Sequence, residues 1–507
     1  MRYVIGVDLG TSSVKVVVIN KDGEVCGEVT KEYPLIQLKD GYREQDPNEW
    51  VTKTAEALKE LVDSYNLDTR LIDGISFSGQ MHGLVLLDEE MNVIRNAILW
   101  NDTRTTEQCK EVYELVGNDL LLKVTKNPAL EGFTLPKLLW VKKYEPELFS
   151  KTNVFMLPKD YVRYKMTGKI NSEYSDAAGT LLLNVIEKKW SEEMCQLTGI
   201  PIAICPPLVE SQDYVGQLTS DFANRTGLQP TTNVYAGGAD NACGAIGASI
   251  LESGKTLCSI GTSGVVLSYE ESKERVFDGK VHYFNHGKKD AYYTMGVTLS
   301  AGHSLQWFRD TFAENKSFEG LLEGLSNVPI GANGLLFTPY LVGERTPYAD
   351  SNIRGSFIGI DATHQRIDFA RAVIEGITFS LRESVEMFRS AGKSIDTIIA
   401  IGGGSKNETW LQLQADVFNA TIVKLKEEQG CALGAAMLAS VGCGWFESLE
   451  ECAERFIKFD KFYEPIQENV DQYNELFSLY KTVYAHTNDL SKELKKFRNQ
   501  VNAEVQP

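Results

Sequence analysis

The sequence is poor in several things, and each shortage removes a class of protein. Lys and Arg number 51 against 69 Asp and Glu, a net charge of −18, which argues against a broad basic surface that follows a phosphate backbone, so nucleic acid is not expected as the main partner, although a local basic patch is compatible with this balance. No run of about 18 apolar residues occurs, which argues against a transmembrane helix. The N-terminus reaches Asp8 and a Gly-Thr-Ser-Ser turn before a signal-peptide core forms. The nine cysteines are scattered, with no C-x-x-C pair and no metal-finger spacing. An odd count without a secretion signal suits a reducing compartment, and a cytoplasmic location is expected. Two nucleotide-binding fingerprints are missing as well. No intact G-x-G-x-x-G is present, and the stretch from Ser249 to Thr256 fails the P-loop pattern at its first position and leads into a strand pattern rather than a helix.

What remains is the composition of a globular chain, 43% hydrophobic and 24% charged over 507 residues. That length exceeds one ordinary core. Strand patterns alternate with helical ones, so the fold class is α/β. Val4 to Val18 reads as strand, tight loop, strand, with Gly10-Thr11-Ser12-Ser13 as the loop, and Asp46-Pro47 forms a helix start. A second strand–loop–strand unit returns near Gly261-Thr262-Ser263-Gly264, about 250 residues later. Two such units suggest a duplicated domain with a site between the copies.

Chemistry concentrates at the ends of these strands. Asp8, just ahead of the first glycine turn, is placed to organise a magnesium ion, which prefers oxygen ligands and keeps several waters. The turns around Gly10, Gly261 and Gly402-Gly403-Gly404 can present N–H groups to phosphates, although any one of them alone is equally a capped hairpin turn. Asp240, after Gly237-Gly238-Ala239, suits either a helix cap or a general base for a hydroxyl. Ser78-Gly79-Gln80-Met81-His82-Gly83 and Trp100-Asn101-Asp102-Thr103-Arg104 supply the mixed polar and aromatic groups of a polyol pocket.

In chain order, these segments resemble the FGGY carbohydrate kinases of the actin-like ATPase superfamily. The likeness runs through Val7-Asp8-Leu9-Gly10-Thr11-Ser12-Ser13, Gly237-Gly238-Ala239-Asp240-Asn241 and Ser259-Ile260-Gly261-Thr262-Ser263-Gly264. It continues through Ser300-Ala301-Gly302-His303-Ser304-Leu305-Gln306-Trp307, Gly402-Gly403-Gly404-Ser405-Lys406-Asn407 and Gln429-Gly430-Cys431-Ala432-Leu433-Gly434-Ala435-Ala436. The resemblance implies two RNase H-like domains with a cleft between them: an N-terminal, sugar-binding domain over residues 1–247, a C-terminal, nucleotide-binding domain over 248–485, and a helical tail over 486–507.

It further implies ATP and magnesium as cofactors, with Asp240 as the base. Met81, His82 and Asn241 would border the sugar, with Trp100 and Asp102 beside them. Asp8 would organise the metal, and Thr11 and Ser12 would face the transferring phosphoryl. Gly261, Thr262, Gly302, Gln306, Gly403, Gly404 and Asn407 would hold the nucleotide. Within the family, Glu44-Gln45-Asp46-Pro47, the Met81-His82 cluster and Gly132-Phe133-Thr134-Leu135-Pro136 resemble members that phosphorylate D-xylulose. Met81-His82 stands where glycerol kinases carry Arg-Glu. The alternatives are another ketose, a pentitol or gluconate, with Arg104 the candidate cation for a carboxylate, or a non-catalytic actin-like scaffold. No membrane or nucleic-acid partner is expected; a homodimer is plausible by family likeness.

Overall fold

The computed structural model describes residues 2–505. Its first sheet is built on β1 (Tyr3–Leu9), β2 (Ser13–Asn20) and β3 (Val25–Glu32), which pair antiparallel in succession. Helix α1 (Pro47–Ser64) follows, its first turn capped by the Asp46 carboxylate accepting from Asn48 N–H, with Pro47 at the first helical position where no N–H is required. Its buried face, Trp50, Val51, Leu58 and Leu61, returns the chain to the sheet as β4 (Ile72–Gly79), parallel to β1. Further out lie β5 (Asn233–Tyr235), parallel to β4, and the antiparallel strand Tyr214–Gln217. A two-residue strand, β6 (Gly238–Ala239), also pairs with the far end of β4 and leads straight into helix α2 (Asp240–Gly247).

The second half repeats this plan. β7 (Gly254–Ile260), β8 (Gly264–Glu270) and β9 (Tyr292–Thr298) pair antiparallel; helix α3 (Gly302–Phe312) and the long helix α4 (Arg366–Ser390) follow. β10 (Ile395–Gly402) then pairs parallel with β7, helix α5 (Glu408–Phe418) crosses, and β11 (Thr421–Leu425) pairs parallel with β10. The five central strands of each half, β1–β5 and β7–β11, share the order 3-2-1-4-5, with two antiparallel pairings followed by two parallel ones, while the strands flanking them differ. The duplication suggested by one short loop therefore extends to the topology of both sheets. The match is inexact at the turns themselves: four residues separate the paired Leu9 and Val14, three separate Ile260 and Gly264.

The central strands read as nearly continuous apolar runs because helices cover both faces. The halves join through α2 and α6 (Gly430–Gly442), which pack backbone to backbone. A Cβ on Gly434 would fall 1.9 Å from the Cys243 carbonyl oxygen, and one on Gly6 would fall 2.0 Å from that of Ala432. Only glycine permits either approach. The chain ends in α7 (Gln467–Val505), whose Tyr473, Phe477 and Tyr480 are buried against the second half. The expected tail from residue 486 is the distal part of this same helix, with its last two residues outside the described ones. No helix among the described residues is long and apolar enough to cross a membrane.

Candidate active site

Strand register creates the first part of the site. Asp8 on β1 lies beside Ser78 on β4, and Gly238 on β6 lies beside Ser78 from the other side; Leu9, Gly79 and Ala239 form the next row. The chain positions that follow this row are therefore brought together at the carboxyl ends of the parallel strands: Gly10-Thr11-Ser12, Gln80-Met81-His82 and Asp240-Asn241. Open α/β sheets bind ligands at that edge.

Asp240 is the first residue of α2, not its cap; Ala239 occupies the cap position. Its carboxylate accepts from the N–H and side-chain amide of Asn241 at 2.7 and 3.0 Å. Burial raises its pKa to about 7 and the nearby Asp8 charge adds to the rise, while the Asn241 bonds oppose it. Asp8 is also held above the ordinary carboxylate range by burial, partly offset by Ser78 and by the Lys15 charge. Two carboxyl groups thus face one another's charge in a cleft. That is a place for a divalent cation, and the donor set suits magnesium, which binds through one or two carboxylates plus phosphate oxygens and waters. No cluster of three metal-ligating side chains exists among the described residues, so the protein alone does not build a closed metal cage.

A buried network fixes the approach to Asp240. The Glu173 carboxylate accepts from Ser175 N–H and Oγ, from Asp176 N–H and from Ser211 Oγ, all between 2.7 and 2.9 Å, and Ser175 Oγ accepts from Ala239 N–H at 2.9 Å. Lys159 and Arg163 offset the charge from within: Lys159 forms ion pairs with Asp160, Asp176 and Glu173, and Arg163 with Asp160. No motif signals these residues. Their role is visible only once Ser175 is seen under the peptide N–H that precedes Asp240.

Next to Asp240, Met81 is buried, with its Sδ 3.6 Å from the Asn241 amide and 3.8 Å from the Tyr293 hydroxyl. Tyr293 comes from β9 of the other half, so both halves meet here. His82 adopts a left-handed backbone, φ 67°, and its Nδ1 lies 2.7 Å from the Gly179 carbonyl oxygen. A carbonyl only accepts, so Nδ1 carries the proton; burial lowers the imidazole pKa to about 3, leaving it neutral. Nε2 therefore offers a lone pair to a hydroxyl. A Cβ on Gly179 would strike the His82 ring at 2.6 Å. Phe133 and Phe284 flank the imidazole, with ring centroids at 4.7 and 6.1 Å. The His82 carbonyl accepts from the buried Lys137 ammonium at 2.9 Å.

Trp100 is half-exposed and donates from Nε1 to Thr11 Oγ1 at 2.9 Å. Asp102 does not enter the cleft. It is fully buried, and its two oxygens accept from Arg43 N–H, Arg104 N–H and two guanidinium nitrogens of Arg104, four bonds that fill the carboxylate. Arg104 is equally committed: it also pairs with Glu44 at 2.8 Å and stacks on Tyr42 and Trp140.

On the second half, the seven expected nucleotide residues, Gly261, Thr262, Gly302, Gln306, Gly403, Gly404 and Asn407, line one cavity of about 740 Å³. Ile260 pairs with Gly402, which sets the β7 turn beside the glycine turn after β10. The N–H groups of Ala301, Gly302 and His303 bond back to carbonyls of Gly261 and Thr262, and a Cβ on Gly302 would fall 2.4 Å from the Gly261 oxygen. Leu305, Leu322 and Trp410 give the cavity apolar walls, as a planar base requires.

A polar edge carrying a carboxyl of raised pKa at one set of strand ends and a nucleotide-sized cavity at the other define a carbohydrate kinase of the actin-like fold. Residues 3–247 match the N-terminal domain of the FGGY family of carbohydrate kinases, and residues 256–443 match its C-terminal domain. This chain belongs to that family. It is 66% identical over 498 residues to the xylulose kinase of Bacillus subtilis (strain 168), covering 98% of this chain and all of that one. Among solved structures, a xyloylose kinase from Brucella ovis superposes with a TM-score of 0.90 at 34% identity, covering 96% of this chain and all of that one. A gluconate kinase from Lactobacillus acidophilus superposes with a TM-score of 0.92 at 30% identity, covering 98% and 99%.

Proposed function

We propose that the protein transfers the γ-phosphoryl group of ATP to the terminal hydroxyl of D-xylulose, forming D-xylulose 5-phosphate and ADP. The observation that carries this reading is the strand register that brings Asp8, Asp240 and Met81-His82 to one edge, together with the glycine-walled cavity of the second half. The 66% identity to a xylulose kinase over nearly the whole chain supports the choice of sugar.

Asp240 would accept the proton of the attacking hydroxyl as the O–P bond forms. A carboxyl near pKa 7 is well matched to that task at neutral pH, because it is basic enough to draw the proton and still substantially ionised. Met81, Asn241 and the His82 Nε2 lone pair would orient the sugar. Thr11 and Ser12 would face the transferring group, with Thr262, Gly261 and Gly302 toward the phosphates and Gln306, Gly403, Gly404 and Asn407 toward the nucleoside. Magnesium would be held by Asp8 through water, and when bound it neutralises phosphate charge. Phosphoryl transfer asks chiefly for such positioning and charge compensation. Contact between the halves at Met81 and Tyr293 would help to keep water, a competing acceptor, away from the transferring group.

Asp102 is left out of the sugar contacts because its oxygens are filled, and Arg104 has no unpaired charge to offer a carboxylate. A cytoplasmic setting fits the free cysteines. The test is coupled ADP release with ATP and magnesium over D-xylulose, D-ribulose, L-ribulose, xylitol, glycerol and gluconate. D-xylulose should lead in kcat/KM by about tenfold or more, roughly 1.4 kcal/mol of transition-state discrimination.

A further inference from the structure

We propose that Lys137 is a positioning residue for the sugar: by donating to the carbonyls of His82 and Gly132 at once, it holds the His82 imidazole in the orientation that meets the substrate.

His82 sits in a backbone arrangement that does not persist unaided. Gly83 N–H donates to the Met81 carbonyl at 2.9 Å, closing a three-residue turn around His82 at φ 67°. That is the pattern of the rare, strained form of the γ-turn. Such backbone survives only where its surroundings over-determine it. Three supports do so here. The ring nitrogen Nδ1 donates to the Gly179 carbonyl. The His82 carbonyl accepts twice, from Lys137 Nζ at 2.9 Å and from Thr134 Oγ1 at 3.0 Å. The Phe133 ring packs on the imidazole, with centroids 4.7 Å apart.

Two of these supports come from one segment, and Lys137 ties it together. Phe133 precedes the helix Thr134–Tyr144, on which Lys137 lies three residues after Thr134. The same ammonium donates to the Gly132 carbonyl at 2.6 Å. One side chain thus joins the strained turn to the residue just before the ring that buttresses it. On its other side this segment lies against Trp100, where a Cβ on Gly132 would fall 3.0 Å from the Trp100 carbonyl oxygen.

Lys137 is otherwise unfavourably placed. It is 0% exposed, and burial lowers its pKa to about 7, with the Asp102 charge opposing the fall. It lies near the N-terminal end of its helix, where the dipole disfavours a cation. Its hydrogen bonds go to neutral carbonyls. A methionine would fill the same volume without those costs. What only the lysine supplies is a pair of donors to two carbonyls, one of which belongs to a strained residue.

The inference rests on the proposed reading that sets the sugar against Met81, His82 and Asn241. With Nδ1 committed to Gly179, Nε2 is the atom left for a hydroxyl. The carbonyl and the ring of His82 share one Cα, so a turn that relaxes when its carbonyl loses a donor carries Nε2 with it. Displacements of this kind are felt at a site that works by positioning.

The test measures steady-state kcat and KM for D-xylulose, or for the sugar turned over fastest, in wild type, Lys137→Met, Thr134→Val, His82→Ala and the His82→Ala/Lys137→Met double variant. ATP Kd by calorimetry and denaturant melts serve as controls. The proposal expects Lys137→Met to raise the sugar KM about tenfold or more, the scale of one unsatisfied buried acceptor, with kcat changed less than about threefold and ATP Kd within about twofold. Thr134→Val, which removes the other donor to the same carbonyl, should move KM in the same direction by less. In the His82→Ala background, Lys137→Met should add less than about twofold, because both act through one imidazole. A raised KM in His82→Ala beside an unchanged KM in folded Lys137→Met overturns the proposal alone, and so do effects that multiply in the double variant. An unchanged KM in His82→Ala, or no sugar-dependent ADP release from folded wild type, overturns the sugar-site reading and this proposal with it. If Lys137→Met does not fold, Thr134→Val, alone and with His82→Ala, decides by the same comparison.

Discussion

Replacing Asp240 by Asn should stabilise the ligand-free protein while disabling it, and the size of the gain should depend on pH. In the folded chain the carboxyl titrates near 7, against 3.8 when unconstrained. An acid whose folded pKa is raised binds its proton more tightly in the folded state. Folding is therefore progressively penalised as pH rises from about 4 to about 7, and the penalty is constant above that. A roughly thousandfold tighter hold on the proton, at about 1.4 kcal/mol per factor of ten, gives about 4 kcal/mol as an upper bound; partial access to cleft water reduces this to about 2 kcal/mol. Asn keeps the shape and cannot ionise. Urea denaturation of both proteins, without nucleotide or metal, should show nearly equal stability near pH 4, an Asn variant already ahead by about a third of the full gain at pH 5, and one about 2 kcal/mol more stable at pH 8. An equal or less stable variant at pH 8 would refute the claim that a desolvated charge beside Asp8 sets this carboxyl.

Two further outcomes follow from the same geometry. At subsaturating magnesium, the acid limb of kcat/KM for the sugar should titrate near pH 7, since Asp240 must be ionised to accept a proton; a limb that stays near pH 4 under those conditions would remove Asp240 as the base. Asp102→Ala should lower stability by about 3 kcal/mol, because it strips a buried partner from Arg104, while sugar KM changes less than threefold; denaturant melts and steady-state kinetics together check both halves of that statement.

The parts of the site that proved legible are those carried by local backbone chemistry. A glycine turn after an apolar strand is read directly, and Gly261, Thr262, Gly403 and Gly404 from such turns line one cavity together with Gly302, Gln306 and Asn407, which the family resemblance supplied. Asp46-Pro47 likewise starts α1 where the cap requires. Side-chain commitments were not legible. Asp102 and Arg104 form a polar motif in sequence, yet they bond to each other, and Asp102 to Arg43 N–H and Arg104 to Glu44, residues distant in the chain, leaving nothing for a ligand. Asp240 sits one residue inside α2 because β6 ends at Ala239 through pairing with β4. Tyr293, His282 and Phe284 carry no motif and come against Met81, Phe133 and His82 only by the meeting of the two halves. The same is true of Ser175 under the Ala239 amide, which depends on a buried carboxylate cluster with no spacing rule.

The most direct test of the central claim compares wild type and Asp240→Asn in D-xylulose-dependent ADP release, with ATP binding measured in parallel. The account predicts a wild type that prefers D-xylulose, and a variant that binds ATP normally but transfers about 10²–10⁴-fold more slowly. A variant that retains near-normal transfer, or a folded, ATP-binding wild type that releases no ADP with any sugar, would contradict it.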